Sequence, residues 1–375
     1  MSGYQASPGP WPTLQQQRLL DAALAPADRA LAAFADWRSR VNWDDEFDWP
    51  SLRLFPLVHD HLAAFGCDDP AMGRLKGLHR RSWYLQQQLT RHVAPVVAAL
   101  TDTCTPVMLL RGAAVAQGYY RSAALRPMND VDLCVHASHA ARAAAVVRDL
   151  GWRPAADLDR DLFRFRHAVR FVRPEGGELL LHWHVLPESA ASRDDDRLWT
   201  DTEPVTFEGT PVLRARPTLL LMQQIVHGLH WRGNAPMRWV ADAVLIARAR
   251  SDEVDWDAQW QTARTLGVTT RLGRGLSYLA DTFDITLPGN LRRAVRAVRP
   301  SWRERLEDRV PPVPVARSGA AMRLPLRTSV AEFARLAPAR HPLAMLTEFP
   351  HYLRYTWGLK GRRELLAAFG SHANG

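Results

Sequence analysis

The stretch RPMNDVDLCVH, Arg126–His136, decides how the rest of the chain is read. Its apolar residues alternate as in a β-strand, so Val131, Leu133 and Val135 share one face. Asp130, Asp132 and Cys134 share the other. At a rise of about 3.3 Å per residue the two carboxylates stand about 6–7 Å apart. Like charges at that distance repel by about 2–3 kcal/mol at an effective dielectric near 20. A fold tolerates the arrangement when a cation or a shared proton lies between the acids.

The neighbouring segments build a compact α/β unit around this strand. PVMLL (106–110) is a short apolar strand, and RGAAVAQGYY after it reads as a loop opening a helix. HASHAARAAAVVRDLGW (136–152) is a helix with Ser138 as N-cap and Gly151 as its stop. RFRHAVRFVR and ELLLHWHVL flank PEGG (174–177), a β-hairpin signature. On the second hairpin strand Leu179, Leu181, Trp183 and Val185 form an apolar face that should pack on helices. Glu178, Leu180, His182 and His184 form the other face. If this strand lies beside VDLCV, its even-numbered face joins Asp130 and Asp132 over a common cleft. The turn Arg111-Gly112-Ala113 leads into a helix, and backbone amides at such a start suit phosphate. Paired carboxylates, a glycine turn and Arg126 together fit a magnesium–triphosphate site, since Mg²⁺ takes hard oxygen ligands from carboxylates and phosphates.

Composition narrows the class. The chain has 375 residues, 47% of them hydrophobic, with 14 Trp, which is globular and long enough for two or three domains. No apolar run reaches the roughly 18–20 residues of a membrane span. The first residues lack a basic segment followed by an apolar stretch, so no secretory signal is expected. Three scattered cysteines argue against a disulfide framework and fit a reducing cytoplasm. The net charge of +9 is concentrated after residue 290, where 16 Lys/Arg meet 6 Asp/Glu. Only Lys76 and Lys360 are lysines. That arginine bias reads as base composition rather than as a nucleic-acid surface, so nucleic acid is not an expected partner.

Residues 1–104 read as an N-terminal helical region. LDAALAPADRALAAFADWRSR (20–40) and RLKGLHRRSWYLQQQLTRHVAPVVAAL (74–100) both show helical spacing. WDDEFDWP (43–50) between them reads as a solvated turn with capping duty. Residues 105–215 form the α/β core and 216–310 a helical domain. In the latter, PTLLLMQQIVHGLHW and PMRWVADAVLIARAR have apolar stripes with polar backs, and Asp255–Trp260 opens a further helix. Residues 311–375 form a basic tail with a Pro- and Arg-rich linker at 311–327. Its last helices, AEFARLAP and HYLRYTWGLKGRRELLAAF, are expected to pack against the body.

LLRGAAVAQGYYRSAALRPMNDVDLCV resembles the signature of the uncharacterised nucleotidyltransferase family of the polymerase-β-like superfamily. LLLHWHVL, VHGLHW with MRWVADAVLIA, and DWDAQWQTARTLGV are similar to later family segments, so the resemblance spans roughly residues 15–290. It implies an α+β fold: a minimal nucleotidyltransferase mixed β-sheet core embedded between N-terminal and C-terminal helical regions. It also implies transfer of a nucleoside monophosphate from an NTP, with ATP favoured, and two divalent ions, Mg²⁺ or Mn²⁺. Asp130 and Asp132 match the metal-binding carboxylates. Gly112 matches the phosphate-loop glycine, with Arg111 where the family usually has lysine and Ala113 beside it. Arg126 matches an arginine expected to steady phosphate or the aspartate strand.

The family's third carboxylate aligns with Leu180, which can neither bind metal nor deprotonate an acceptor. Glu178 lies two residues earlier on the same face and is the expected replacement as metal ligand and catalytic carboxylate. His182 faces the cleft, as a contact to phosphate or acceptor or as a structural hydrogen bond. His184 reads as structural, Cys134 as core filler, and His227 and His230 as packing or cleft residues. Asp242 follows Arg238 by four, which gives either an intrahelical ion pair or a contact to nucleotide. Three readings follow: a cytoplasmic transferase acting on a small molecule, sugar, peptide or protein; a degenerate nucleotide-binding or scaffold protein, motivated by Leu180; and a transferase acting on nucleic-acid ends, motivated by the tail.

Overall fold

A computed structural model describes residues 10–375 apart from 44, 104, 192–194, 231–236, 303, 306–325, 337–346, 360, 362 and 366–375. The Asp-x-Asp strand is the middle strand of a seven-stranded sheet. In chain order the strands are β1 (Met108–Leu109), β2 (Asp130–Cys134), β3 (Arg153–Pro154), β4 (Ala168–Val172), β5 (Glu178–His182), β6 (Thr202–Phe207) and β7 (Thr210–Ala215). Their spatial order is β3-β4-β5-β2-β1-β7-β6. The β2–β5 and β1–β7 pairs are parallel and the remaining pairs antiparallel, so the sheet is mixed.

Parity is respected throughout. Val131, Leu133, Leu179, Leu181 and Trp183 are buried and share one continuous apolar core with Leu89, Val93, Val96 and Leu100 of the long helix Met72–Asp102. The even-numbered face of β5 stays more open, with Glu178 and Leu180 only half-buried. At the hairpin, Gly176 and Gly177 carry φ of +97° and +104°, conformations that L side chains resist.

Local signals explain most departures from the sequence reading. The helical spacing of residues 20–40 resolves into two helices, Leu14–Leu24 and Ala27–Arg38, separated at Ala25-Pro26, because proline cannot continue a helix but can precede one. Helix Arg111–Tyr119 starts directly after Leu110, with no intervening loop. Ser138 is not an N-cap; it sits within the 3-10 turn Ala137–His139, and the helix Ala140–Asp149 follows. Helix Pro217–Gly228 has no polar back, since Gln223 and Gln224 are buried along with its leucines. The β6–β7 hairpin, turning at Glu208-Gly209, was not anticipated, although TEPVTF and TPVLRA around Glu-Gly carry strand patterning. Asp255 caps helix Trp256–Leu266 as expected, accepting from the Ala258 N–H at 2.8 Å.

In WDDEFDWP the capping duty is found and Asp45 and Glu46 are exposed, as expected of a solvated turn, but two of its aromatic residues turn inward. Trp43 and Phe47 join Trp37 and Phe55 in an aromatic cluster with ring centroids 5.2–5.9 Å apart. Trp49 does remain exposed. Asp48 caps helix Trp49–Leu52, accepting from the Ser51 N–H at 2.9 Å and the Ser51 hydroxyl at 2.7 Å. The same carboxylate accepts from Gln16 Nε2 at 3.0 Å, which ties this turn to the first helix.

The tail packs on the body through a second apolar cluster, in which Phe165 meets Phe333, Tyr352, Leu353 and Trp357. Most of the proposed linker, 311–325, lies outside the described residues, while residues 326 and 327 already belong to helix Leu326–Leu336. Among the described residues no helix is long and apolar enough to cross a membrane.

Replacing Asp48 by alanine removes a helix cap together with the partner of Gln16. Chemical denaturation of Asp48→Ala should show a loss of about 1–2 kcal/mol. An unchanged midpoint would deny the carboxylate this role.

Candidate active site

The parallel register sets Asp130 opposite Glu178, Asp132 opposite Leu180 and Cys134 opposite His182. The shared face expected from parity therefore exists, and arginines from other segments of the chain act on its carboxylates. Asp132 is buried, and one of its oxygens does double duty. Oδ1 accepts from Arg111 Nη1 at 3.1 Å and meets His182 Nε2 at 2.7 Å. Burial pushes the Asp132 carboxyl up, but Arg111 and the His182 hydrogen bond outweigh it and hold the group well below the usual carboxylate range. Burial also lowers His182, against the pull of Asp132. A neutral ring donating from Nε2 satisfies both observations.

Asp130 is different. Among the described residues its carboxylate makes no hydrogen bond and no ion pair. Burial and the neighbouring Asp132 raise its pKa, while Arg238, Arg111 and Arg53 pull it down from a distance. A half-buried carboxylate without a partner, next to a second one held ionised, is a hard-oxygen donor pair. The two aspartates fit a divalent cation such as Mg²⁺ on these grounds.

Arg111 opens helix Arg111–Tyr119 with φ of +45°, a left-handed conformation that non-glycine residues avoid. Strain of this kind is characteristic of functional sites. The first helical amides, those of Gly112 and Ala113, have no intrahelical acceptor and carry the positive end of the helix dipole. Gly112 permits a close approach, though by a protein group. A Cβ there would lie 2.3 Å from Arg126 Nη1 and 2.9 Å from Met128 Sδ.

Arg126 is buried in a bidentate pair with Asp242, Nε to Oδ1 at 2.8 Å and Nη2 to Oδ2 at 2.6 Å. Tyr120 donates its hydroxyl to Asp242 Oδ1 at 2.7 Å. Of the two roles expected for Arg126, this geometry is the one that steadies the aspartate strand. The Asp242–Arg238 intrahelical pair is not formed. Asp242 faces the arginine of the Arg-Pro-Met stretch, and Arg238 Nη1 donates to the Pro127 carbonyl. With no exposed surface, Asp242 is placed to act through Arg126 rather than on a ligand. The Met128 carbonyl in turn accepts from Gln86 Nε2 at 2.9 Å. Each residue of Arg-Pro-Met thus answers a distant helix.

Glu178 does not join the aspartates here. Its carboxylate lies 3.6 Å from Arg170 Nη1 on β4, on the side of β5 away from β2. Among the described residues no three His, Cys, Asp or Glu side chains are grouped to hold a metal. Leu180 stands half-buried opposite Asp132, where a third acid was missing from the sequence pattern. His184 pairs with Asp195 at 3.2 Å, and Cys134 is fully buried. His227 is pushed far down by burial and by Arg111, with Asp132 opposing, which places it toward the cleft, while His230 is exposed. Sequence reasoning missed Arg53 and Tyr120 altogether and gave Arg238 the wrong partner.

The parallel aspartate strand, the helix start beside it and the mixed sheet define a nucleotidyltransferase-like core. The model of a family described as uncharacterised nucleotidyltransferase matches residues 29–284, about two-thirds of the chain, and the chain belongs to that family. No curated protein matches. A solved structure of an antigenic nucleotidyltransferase-like protein from Paracoccidioides brasiliensis is similar over 58% of this chain and 96% of that one, at 16% identity and a TM-score of 0.36.

Asp242→Asn keeps the shape but strands a buried guanidinium. Urea denaturation should show a loss of about 3–5 kcal/mol, with part of it restored when Arg126 is also replaced by methionine. A loss below 1 kcal/mol would show that this pair does not anchor the strand.

Proposed function

We propose that the protein transfers a nucleoside monophosphate from an NTP, with ATP favoured, to an acceptor hydroxyl. The observation that carries this reading is the partnerless Asp130 carboxylate beside ionised Asp132, on a strand flanked by a helix start. Asp130 and Asp132 would hold the divalent ions. When bound, such ions supply charge neutralisation for the phosphates and activation of the attacking oxygen. Arg111 keeps Asp132 ionised and stands beside the phosphate-facing amides of Gly112 and Ala113. His182 fixes the orientation of Asp132 through Nε2. Arg126, held by Asp242 and Tyr120, supports the turn that carries the strand.

In the reaction a bond forms between the acceptor oxygen and the α-phosphorus while the bond to the β-phosphate breaks, and pyrophosphate leaves. The acceptor proton passes to solvent, since no carboxylate occupies the Leu180 position to receive it. A small molecule, sugar, peptide or protein is the acceptor class, with a tailoring role in natural-product or polysaccharide assembly, and the setting is cytoplasmic.

With radiolabelled NTP and Mg²⁺, Asp130→Asn should lower pyrophosphate release at least about 100-fold, the upper end of what even an outer-shell change costs a metal site. Undiminished release would remove the aspartates from the chemistry.

Leu180, together with Glu178 engaged by Arg170, supports a second reading in which the site binds nucleotide without turning it over. Under that reading Leu180→Asp should create Mg²⁺-dependent turnover in an otherwise inactive protein. Robust wild-type activity that Leu180→Asp leaves unchanged would dismiss it.

A further inference from the structure

We infer that Arg53 and Arg238 form an anion subsite beside Asp130 that takes the polyphosphate tail of the nucleoside triphosphate. This rests on the nucleotidyl-transfer reading above.

The two arginines come from distant segments. Arg53 lies between helices Trp49–Leu52 and Phe55–Ala64. The second of these packs against the Ala123–Leu125 turn that leads into Arg126. The Arg53 guanidinium lies over the Trp49 ring, 4.8 Å from its centroid, and Trp49 is 58% exposed, so this stack borders solvent. Arg238 begins helix Arg238–Ala249 and reaches the Pro127 carbonyl, three residues before Asp130.

Neither guanidinium is neutralised. Among the described residues Arg53 and Arg238 form no ion pair, and the Nε of each is buried without a hydrogen-bond partner. The other charges of the cleft are already matched, Arg111 with Asp132 and Arg126 with Asp242. Two cations therefore face the single carboxylate of Asp130. Asp130 is the group that most offsets the charge of Arg53, and Arg126 adds repulsion. Burial, with Arg126 and Arg53 nearby, lowers Arg238 to about 9, still protonated at neutral pH. A divalent cation on Asp130 would leave this wall more positive still. Two planar guanidinium forks, each with a buried Nε–H that lacks an acceptor and lying beside a cation site, call for a polyanion that offers pairs of oxygens, which a polyphosphate does. Trp49 is a positioning residue in this scheme, since its ring fixes the plane of Arg53.

The test is calorimetric titration of the full chain in Mg²⁺ with α,β-methylene ATP, AMP and inorganic tripolyphosphate. Wild type, Arg53→Gln, Arg53→Lys and Arg238→Gln are compared, each checked by thermal unfolding. Either glutamine variant should weaken binding of the ATP analogue and of tripolyphosphate by about tenfold or more, while AMP changes less than twofold. Arg53→Lys should recover part of the loss. If Arg238→Gln unfolds because it also loses the Pro127 contact, Arg53→Gln decides. Wild-type binding that the glutamine variants leave unchanged, or an equal loss for AMP, overturns the subsite alone. Failure of the wild type to bind any of the three ligands overturns the nucleotidyl-transfer reading and the subsite with it.

Discussion

Two carboxylates on one face of one strand are the constraint around which this molecule is organised. They repel, and burial in the middle of a seven-stranded sheet sharpens the repulsion. The protein answers them unequally. Asp132 receives a guanidinium and an imidazole on a single oxygen and stays ionised. Asp130 receives no partner, only the distant field of three arginines. A purely structural pair of acids would be satisfied symmetrically, or one would be protonated and hydrogen-bonded. The asymmetry leaves one ligand prepared and one waiting.

The strand that carries these acids is held from outside the sheet. Arg126 binds Asp242, the Pro127 carbonyl accepts from Arg238, and the Met128 carbonyl accepts from Gln86. The N-terminal helices and the helices after the sheet therefore meet at one short loop, and the apolar core runs continuously through all three regions. A buried Arg–Asp pair is costly to assemble and costlier to break. Its position here links the conformation of the loop to the placement of the aspartates, and Gly112 is the residue whose missing side chain lets that guanidinium lie against the start of helix Arg111–Tyr119.

What the sequence revealed was local and periodic. Alternation in VDLCV and ELLLHW placed the correct residues on the cleft side, and the glycines of PEGG placed the hairpin. The adjacency of β2 and β5 enters the sequence reading only as a condition, suggested by the shared chemistry of their even-numbered faces, and the parallel register supplies it. What stayed hidden was non-local. Asp242 four residues after Arg238 looks like a helical ion pair, and nothing in the spacing reveals that an arginine 116 residues away competes for it. Glu178 sits on the right face, yet Arg170 across the hairpin draws it aside. Arg53 lies in a segment whose pattern signals only helix and turn, so its approach to the aspartates depends on tertiary packing.

The most direct measurement is anomalous scattering from a crystal soaked with Mn²⁺ and a non-hydrolysable NTP. The account requires a manganese peak at the Asp130 and Asp132 carboxylates, with the polyphosphate reaching Arg53 and Arg238. An anomalous map with no peak there, and with Asp132 still closed on Arg111 and His182, would contradict it.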